Sequence, residues 1–197
     1  MTDTLVDELE GANARPDPPE GEGEEREAPE PEAPETRGGP PGPAQLSRPG
    51  ADFISRFEGC VLKLYNDPTG NATIGIGHLV HMGRINGSEP HEFKSGITRD
   101  RAVELLQQDA AGAARAVRQA ITRPLNQAQL DALISFTFNV GEGNLRSSTL
   151  RRKLNAGDYA SVPSELAKWV FSGGRKLPGL IKRRQAEGAL FAHGTYH

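Results

Sequence analysis

The stretch that decides the fold runs from Phe57 to His78 and reads FEGCVLKLYNDPTGNATIGIGH. It continues a short segment, ADFISRFEG, whose Phe53, Ile54 and Phe57 fall on one helical face. After Gly59, which suits a helix end, the alternation in VLKLYND predicts a strand. DPTGN then predicts a turn, and ATIGIGH predicts the returning strand. We therefore expect a short helix followed by a β-hairpin.

The remainder of the chain has a helical pattern. Residues 79–97 are predicted to form a loop, and Thr98 is predicted to cap a helix that continues to about residue 121. Asn126 is predicted to cap the next helix, which has an apolar face. Three shorter helices are predicted at about 148–155, 158–169 and 178–191. One hairpin followed by helices indicates an α+β fold with a small β-bearing lobe and a larger helical lobe.

Charge divides the chain into two parts. Residues 1–48 hold 13 acidic and 4 basic side chains, a net charge of −9, whereas residues 49–197 hold 13 acidic and 19 basic ones, a net charge of +6. Residues 16–46 consist mostly of Pro, Glu, Gly and Ala and cannot bury much surface. We predict a disordered acidic tail over 1–48 and a folded basic domain over 49–197. The tail either screens the basic domain or serves as a spacer.

The sequence also bears on where the protein is made. The N-terminus MTDTLVDELEG lacks the basic and apolar regions of a secretory signal, and no apolar run is long enough to span a bilayer. With Cys60 as the single cysteine, an intrachain disulfide is impossible. We expect synthesis as a soluble cytoplasmic chain, so that action outside the cytoplasm would need a separate export route.

Two carboxyl groups in the opening stretch suggest glycoside chemistry. Such cleavage needs one carboxyl group to protonate the leaving oxygen and a second to support attack at the anomeric carbon. Glu58 at a helix end and Asp67 on a hairpin could face each other across a groove, and Thr73 could hold a water molecule. Spacing alone also fits ordinary surface carboxylates and a plain strand threonine, so the residues by themselves leave both interpretations open.

The string EGCVLKLYNDPTGNATIGIGH resembles the motif of phage-type lysozymes, the endolysin muramidases of glycoside hydrolase family 24. In that family a Glu is followed by eight residues, an Asp, five residues, a Thr and a nearby Gly-x-Gly-His. The segments LDALISFTFNVGEGNLRSSTLRRKLNAGDY and LPGLIKRRQAEGALF resemble the helical part of the same family, so the resemblance covers about residues 50–192. It implies that residues 49–197 form a catalytic domain with a lysozyme-like fold and the cleft between two lobes.

The resemblance assigns roles to individual residues. Glu58 would be the general acid, Asp67 would orient and deprotonate the attacking water or stabilise the positive sugar, and Thr73 would position that water. The substrate would be the β-1,4 bond between N-acetylmuramic acid and N-acetylglucosamine in peptidoglycan. Leu79, Phe138 and Thr149 match positions that touch sugar in relatives, although each also suits a core or capping role. The enzyme would reach the wall through a holin-type pore or another export machine.

Other residues are given plainer roles. The histidines His78, His81 and His91 are poorly spaced for zinc, so we expect no metal site and no cofactor, and a hydrogen-bonded structural role for His78. Cys60 is expected to be a small buried apolar residue, and Trp169 a core aromatic. The basic run over 182–185 is expected to form a solvated face, with attraction to an anionic wall as the alternative. We expect no nucleic-acid partner, no stable membrane association and a monomer.

Two rival functions remain at this stage. One is a peptidoglycan-binding module with the same fold and no hydrolysis, which the complete Glu58, Asp67 and Thr73 set disfavours. The other is a metal-dependent amidase acting on the peptides of the wall, which the lack of a metal motif disfavours. The loop LVHMGRINGSEPHEFKSG is longer than in compact members of the family and could edge the cleft, where it could alter substrate choice.

Overall fold

A computed structural model describes residues 44–196 of the chain. The predicted tail over 1–48 lies almost entirely outside the described residues. The helices are α1 (Arg48–Glu58), α2 (His91–Lys94), α3 (Arg99–Asp109), α4 (Ala111–Ala120), α5 (Gln127–Val140), α6 (Glu142–Ser147), α7 (Thr149–Asn155), α8 (Val162–Leu166) and α9 (Pro178–His193). The strands are β1 (Val61–Asn66), β2 (Ala72–Gly75), β3 (His78–His81), β4 (Phe171–Ser172) and β5 (Arg175–Lys176). The predicted α+β class is confirmed.

The predicted hairpin is the first part of a three-stranded antiparallel sheet with the order β1-β2-β3. The central strand β2 is fully buried. Gly75 and Gly77 have positive φ angles of 69° and 71°, which allow a tight reversal after β2. The chain then returns as β3, so the prediction of a loop over 79–97 is wrong at its start, and also at α2 (His91–Lys94). The repeated apolar and glycine residues concealed a second turn within what looked like one strand.

The helical lobe is built around α5. Nine of its residues are buried, and an apolar helix without a solvent face belongs in the middle of a packed domain. Asn126 caps it with a capping box that includes Gln129, as its sequence predicts. The cap at Thr98 is also confirmed, because its side chain accepts from the Arg101 amide. The predicted helix from Thr98 to 121 is instead two helices that meet at Ala110.

The later helices agree in part with the sequence pattern. The predictions over 148–155 and 178–191 correspond to α7 and α9, whereas the helix predicted over 158–169 is reduced to α8. Trp169 packs its ring edge-on against Phe136 with centroids 5.4 Å apart, which confirms its core role. Within residues 44–196, no helix combines the length and the apolar character needed to cross a membrane.

Packing begins earlier than the predicted boundary at residue 49. Leu46 is 2% exposed and belongs to the main core, and its carbonyl accepts a hydrogen bond from Gln107 Nε2 at 3.0 Å. Ser47 is the N-cap of α1. A single leucine beside a Pro-rich segment carries too little pattern to indicate this burial from the sequence.

A buried carboxylate on α5, Asp131, joins the two ends of the described chain. It accepts hydrogen bonds from the Ser47 amide at 3.0 Å, from the Ser47 hydroxyl, and from the Tyr196 hydroxyl at 2.8 Å. Gln127 donates to it at 2.9 Å. Gly50 lies so close that an added Cβ would be 2.5 Å from the carboxyl carbon, so any larger residue there would displace the Asp131 side chain. Burial and the Asp131 contact raise the pKa of Tyr196 to about 12.

Candidate active site

Glu58 is the last residue of α1 and its side chain is 17% exposed. Gly59 follows with φ 75° and ψ 177°, so the helix ends at Glu58, as the sequence predicts, with a glycine at a positive φ. This backbone conformation is accessible mainly to glycine, and it leads the chain directly from α1 into β1. The carboxyl group is thereby fixed at the junction between the helical lobe and the sheet.

Arg183 of α9 holds the Glu58 carboxyl group. Its Nη1 lies 2.6 Å from Glu58 Oε1, and its side chain is only 2% exposed. The guanidinium also lies over the Phe57 ring, 5.3 Å from the centroid, and donates to the Ser135 carbonyl at 3.2 Å. Among residues 44–196, Oε1 is the only Glu58 oxygen that accepts a hydrogen bond. Oε2 is therefore left without a hydrogen-bond donor among these residues.

The prediction of a solvated basic face over 182–185 is wrong for Arg183 and Arg184, which are each 1% exposed. Both pair with Glu187, which lies one turn further along α9 and is itself fully buried. Ser135 donates to the same carboxylate at 2.7 Å. Two buried arginines are tolerated because two carboxylates face them, Glu58 and Glu187.

Arg184 is held less completely. Its Nη1 is 2.8 Å from Glu187 Oε2, but the two groups are not aligned for a hydrogen bond. Its guanidinium lies 5.1 Å from the Phe136 ring centroid and donates to the Asn139 side chain. Burial is the main cause that lowers the pKa of Arg184 to about 10. The network under Glu58 is therefore charged, buried and only partly hydrogen-bonded.

Asp67 lies in the turn between β1 and β2. Its Oδ1 accepts from the Asn71 amide at 2.8 Å and from the Thr69 hydroxyl at 2.7 Å. The Asn71 amide contributes most to lowering the pKa of Asp67, followed by the Thr69 hydroxyl. Gly70 supplies the positive φ of 87° that the turn requires. The arrangement keeps an ionised carboxylate at the end of the hairpin.

Thr73 connects the sheet to that carboxylate. It is 3% exposed, and its Oγ1 lies 3.4 Å from Asp67 Oδ2 and 3.1 Å from the Asn71 carbonyl. A hydroxyl has one proton, so it can donate to only one of these acceptors at a time and keeps lone pairs for a water molecule. The structure thus brings Asp67 and Thr73 together as the sequence motif suggests, and holds Glu58 separately through α9.

The three predicted sugar-contacting residues have different settings. Leu79 is 47% exposed and pairs with Thr73 across β2 and β3, so both side chains lie on the same face of the sheet. Phe138 is partly buried against the main core, next to Asn139. Thr149 is the first residue of α7. Within the described residues, no hydrogen bond or ion pair joins these side chains to Glu58 or Asp67.

Other predicted side chains have structural partners. His78 Nδ1 lies 3.0 Å from Asp109 Oδ2, which agrees with the expected hydrogen-bonded role. Cys60 is partly buried against the core, and burial raises the pKa of its thiol, so it is protonated at neutral pH. Within residues 44–196, His, Cys, Asp and Glu side chains nowhere form a group of three or more that could hold a metal ion.

Sequence reasoning missed the buried ion network beneath Glu58. The signal was present in RRQAE, where two arginines precede Glu187 by four and three residues, the spacing that places side chains on one helical face. Flanking apolar residues at Leu180, Leu190 and Phe191 would have placed part of that face against the core. A charged run is usually solvated, and that general expectation outweighed the periodicity.

Comparison with known proteins gives consistent results. The family model described as phage lysozyme matches residues 55–187. The chain is 40% identical over 152 residues to an endolysin of Acyrthosiphon pisum secondary endosymbiont phage 1, covering 74% of this chain and 97% of that one. It is 39% identical over 151 residues to an endolysin of Bacillus phage B103, covering 76% of this chain but only 54% of the relative.

Solved structures show the same likeness. A mutant of P22 lysozyme superimposes with a TM-score of 0.64 at 34% identity, covering 75% of this chain and 97% of that one. This structural likeness covers the helical lobe together with the small sheet, which confirms the predicted lysozyme-like fold.

Proposed function

The chain belongs to the phage lysozyme family and is therefore a hydrolase of the lysozyme type, and from that premise we propose that it cleaves peptidoglycan. The bond attacked is the β-1,4 bond between N-acetylmuramic acid and N-acetylglucosamine. The observation that carries the proposal is the contrast between the two carboxyl groups. Glu58 is attached to a buried ion network, whereas Asp67 is ionised in a hydrogen-bonded turn. Different environments suit two carboxyl groups to acid and base roles.

In the proposed mechanism, Glu58 takes up a proton before the reaction, while Arg183 continues to donate to its Oε1, and it then donates that proton to the leaving glycosidic oxygen. Arg183 fixes Oε1, so Oε2 is the oxygen that faces the substrate. Asp67 remains a carboxylate and accepts a proton from the attacking water, while Thr73 orients that water. Because water attacks directly, the freshly formed product has the inverted anomeric configuration. A glycosyl adduct trapped on Asp67 would instead establish a retaining reaction.

Leu79, Phe138 and Thr149 are proposed to contact the glycan strand. The best supported is Leu79, because it is exposed on the sheet face that carries Thr73. The protein is proposed to act as a monomer on the cell wall after release through a holin-type pore or another route. The substrate proposal and the release route are separate, and only the first concerns the described site.

The test is digestion of purified peptidoglycan by the full chain. A muramidase releases new reducing ends, and mass spectrometry of the fragments locates the cleaved bond at the muramic acid side. Release of free amines without reducing ends would show an amidase, and binding without either product would show a non-hydrolytic module. Either result would overturn the proposed function. The matched inactive control is Glu58→Gln, which keeps the side-chain shape but cannot donate the acid proton.

A further inference from the structure

The segment between β3 and α2, residues 82–90, contains no helix or strand and is almost entirely exposed. We call it the 82–90 loop. Met82 is 75% exposed and Ile85 38% exposed, so apolar burial does not hold the loop in place. Its position has to be explained by polar contacts, and these converge on a single side chain, Glu89.

Glu89 is buried although its neighbours are exposed, with 2% of its side chain accessible. Its Oε1 accepts from the Asn86 amide at 2.7 Å, and its Oε2 accepts from the Gly87 amide at 3.0 Å. The amide of Asn86 is the largest of the causes that lower the pKa of Glu89 to about 2. Lys94 adds a contact to the Gly87 carbonyl at 2.6 Å. A carboxylate retained only for solubility would not be enclosed in this way.

The same carboxylate closes the loop across its base. His81, the last residue of β3, lies with Nε2 3.2 Å from Glu89 Oε1 and Nδ1 2.9 Å from the Met82 carbonyl. Both partners are acceptors, so both ring nitrogens must donate, which requires the protonated imidazole. These two contacts raise the pKa of His81. Residues 82–88 therefore form a closed ring, fastened at His81 and Glu89.

The ring contacts the turn that carries Asp67. The Gly83 amide donates to Asn71 Oδ1 at 2.9 Å, and the Gly83 carbonyl accepts from the Ala72 amide at 2.9 Å. The Ile85 amide donates to the side chain of Asn66, the residue before Asp67, at 2.9 Å. Both sides of the Asp67 turn are thus attached to the loop.

One of these contacts leads directly to the carboxyl group. The Asn71 amide donates to Asp67 Oδ1 at 2.8 Å, and Asn71 Nδ2 donates at 2.7 Å to Thr69 Oγ1, which itself donates to Asp67 Oδ1. Gly83 holds the other end of the Asn71 amide group. Asn71 can therefore rotate only if it breaks contacts to the loop and to Asp67 together.

We propose that Glu89 is a positioning residue for Asp67, acting through the closed 82–90 loop and Asn71. The catalytic meaning of this role rests on the proposed function, whereas the coupling itself is a property of the folded chain. Loss of the Glu89 anchor releases Gly83 and Ile85, loosens Asn71, and weakens the hydrogen bonds that keep Asp67 ionised and correctly oriented.

The test compares Glu89→Gln with Glu92→Gln. In Glu89, each carboxylate oxygen accepts a hydrogen bond from a backbone amide, of Asn86 or Gly87. Glutamine replaces one of these oxygens with an NH₂ group, and two donors cannot form a hydrogen bond with each other. We therefore expect the ring to open. Glu92, three residues later, is 51% exposed and pairs with Arg101 at the surface, which makes it the matched control. In Glu89→Gln, amide exchange at Gly83 should accelerate and the pKa of Asp67, followed by NMR of its carboxyl carbon, should rise. Glu92→Gln should change neither.

Turnover supplies the second measurement. Misplacement of a catalytic group by about 1 Å costs up to about 100-fold, so partial loosening should lower kcat about tenfold with little change in KM. Asn66→Ala removes the acceptor of the Ile85 amide and should shift the pKa of Asp67 in the same direction, which keeps the proposal testable if Glu89→Gln does not fold.

The outcomes separate the two proposals. If Glu89→Gln and Asn66→Ala lower the unfolding temperature but leave the pKa of Asp67 unchanged, the positioning role is overturned and Glu89 is only a stabilising residue. A wild-type chain that releases no reducing ends would overturn the proposed function, while the NMR measurements would still decide the coupling. A rise in the pKa of Asp67 together with faster amide exchange at Gly83 in Glu89→Gln supports the coupling.

Discussion

The two carboxyl groups of the site are supported in opposite ways. Glu58 is held by Arg183, which lies 125 residues away along the chain and is buried in the helical lobe. Asp67 is held by Thr69, Asn71 and Thr73, all within six residues of it. The position of the Glu58 carboxyl group therefore depends on the docking of α9, and that of the Asp67 carboxylate depends on its own turn. Long-range support makes Glu58 sensitive to folding, whereas local support makes Asp67 sensitive to the loop beside it.

This difference has an energetic side. The support of Glu58 removes four charged groups from water, which is tolerable only while every charge keeps a partner. The support of Asp67 uses neutral amide and hydroxyl donors near the surface. Changes around Glu58 should therefore affect stability and activity together, while changes around Asp67 should affect activity with less loss of stability.

The largest effect is expected for Glu58→Gln. It should lower release of reducing ends by about 10³-fold or more, because the amide cannot donate the acid proton. The Gln oxygen can still accept from Arg183, so circular dichroism should show a folded protein. Near-normal lysis by a folded Glu58→Gln protein would remove Glu58 from the mechanism.

Arg183→Ala is expected to affect both properties. Removing one partner of a buried ion pair costs about 3–5 kcal/mol, because Glu58 would be left with uncompensated charge and Glu187 would lose one of its two arginines. Urea unfolding should detect the loss, and activity should fall in the same variant. Arg175→Ala, an exposed cation on β5, is the control and should change stability by no more than about 0.5 kcal/mol. Equal stability of the two variants would refute the dependence of Glu58 on α9.

Thr73→Ala tests the local side of the comparison. The rate should fall about ten- to a thousandfold, the range for groups that position a reactant or a developing charge. Thr73→Ser keeps the hydroxyl and should recover most of the rate. Combined with Asp67→Asn, the loss should be less than the sum of the separate losses, because both side chains act on the same water. Strictly additive losses would show that they act independently.

The smallest expected effect is a pH dependence of the stability that the contacts of the 82–90 loop contribute. The pKa of His81 is raised above its ordinary value of 6.5, so its stabilising contribution is complete below about that pH and is lost as pH rises through the higher folded value. The pKa of Glu89 is lowered from 4.5 to about 2, so its contribution is complete above about 4.5 and is lost as pH falls towards 2.

Urea unfolding of wild type and His81→Gln measures this effect. The difference between the two proteins should be largest between about pH 5 and 6 and should decline at alkaline pH, because wild-type His81 then loses a proton. A difference that stays constant to pH 9 would show that protonation of His81 does not fasten the loop.

The sequence predicted the local parts of this molecule better than the remote ones. The caps at Thr98 and Asn126 and the hairpin that carries Asp67 follow from residues within a few positions of one another. The third strand was missed because the turn at Gly75 and Gly77 interrupts an apolar run without any polar residue. Leu46 was assigned to the tail because its burial depends on helices formed much later in the chain.

The same distinction applies to the candidate site. Glu58, Asp67 and Thr73 lie within sixteen residues, and their spacing made them recognisable. Arg183 could not be recognised as a partner of Glu58, because no local pattern specifies which distant side chain a helix will bring to it. Glu89 was likewise hidden, since burial of a charged residue in an exposed loop depends on amide groups whose direction is set only by folding.

The carboxyl group of Asp131 has a topological consequence. Ser47 and Tyr196 both donate to its Oδ2, so the two ends of the described domain are neighbours in space. A short linker could therefore join residue 196 to residue 44, because the Asp131 side chain already contacts residues near both ends. The domain is therefore suited to circular permutation, with new ends in the exposed turn between Gly173 and Gly174. Such a chain would keep the Asp131 contacts while making Ser47 an interior residue of the sequence.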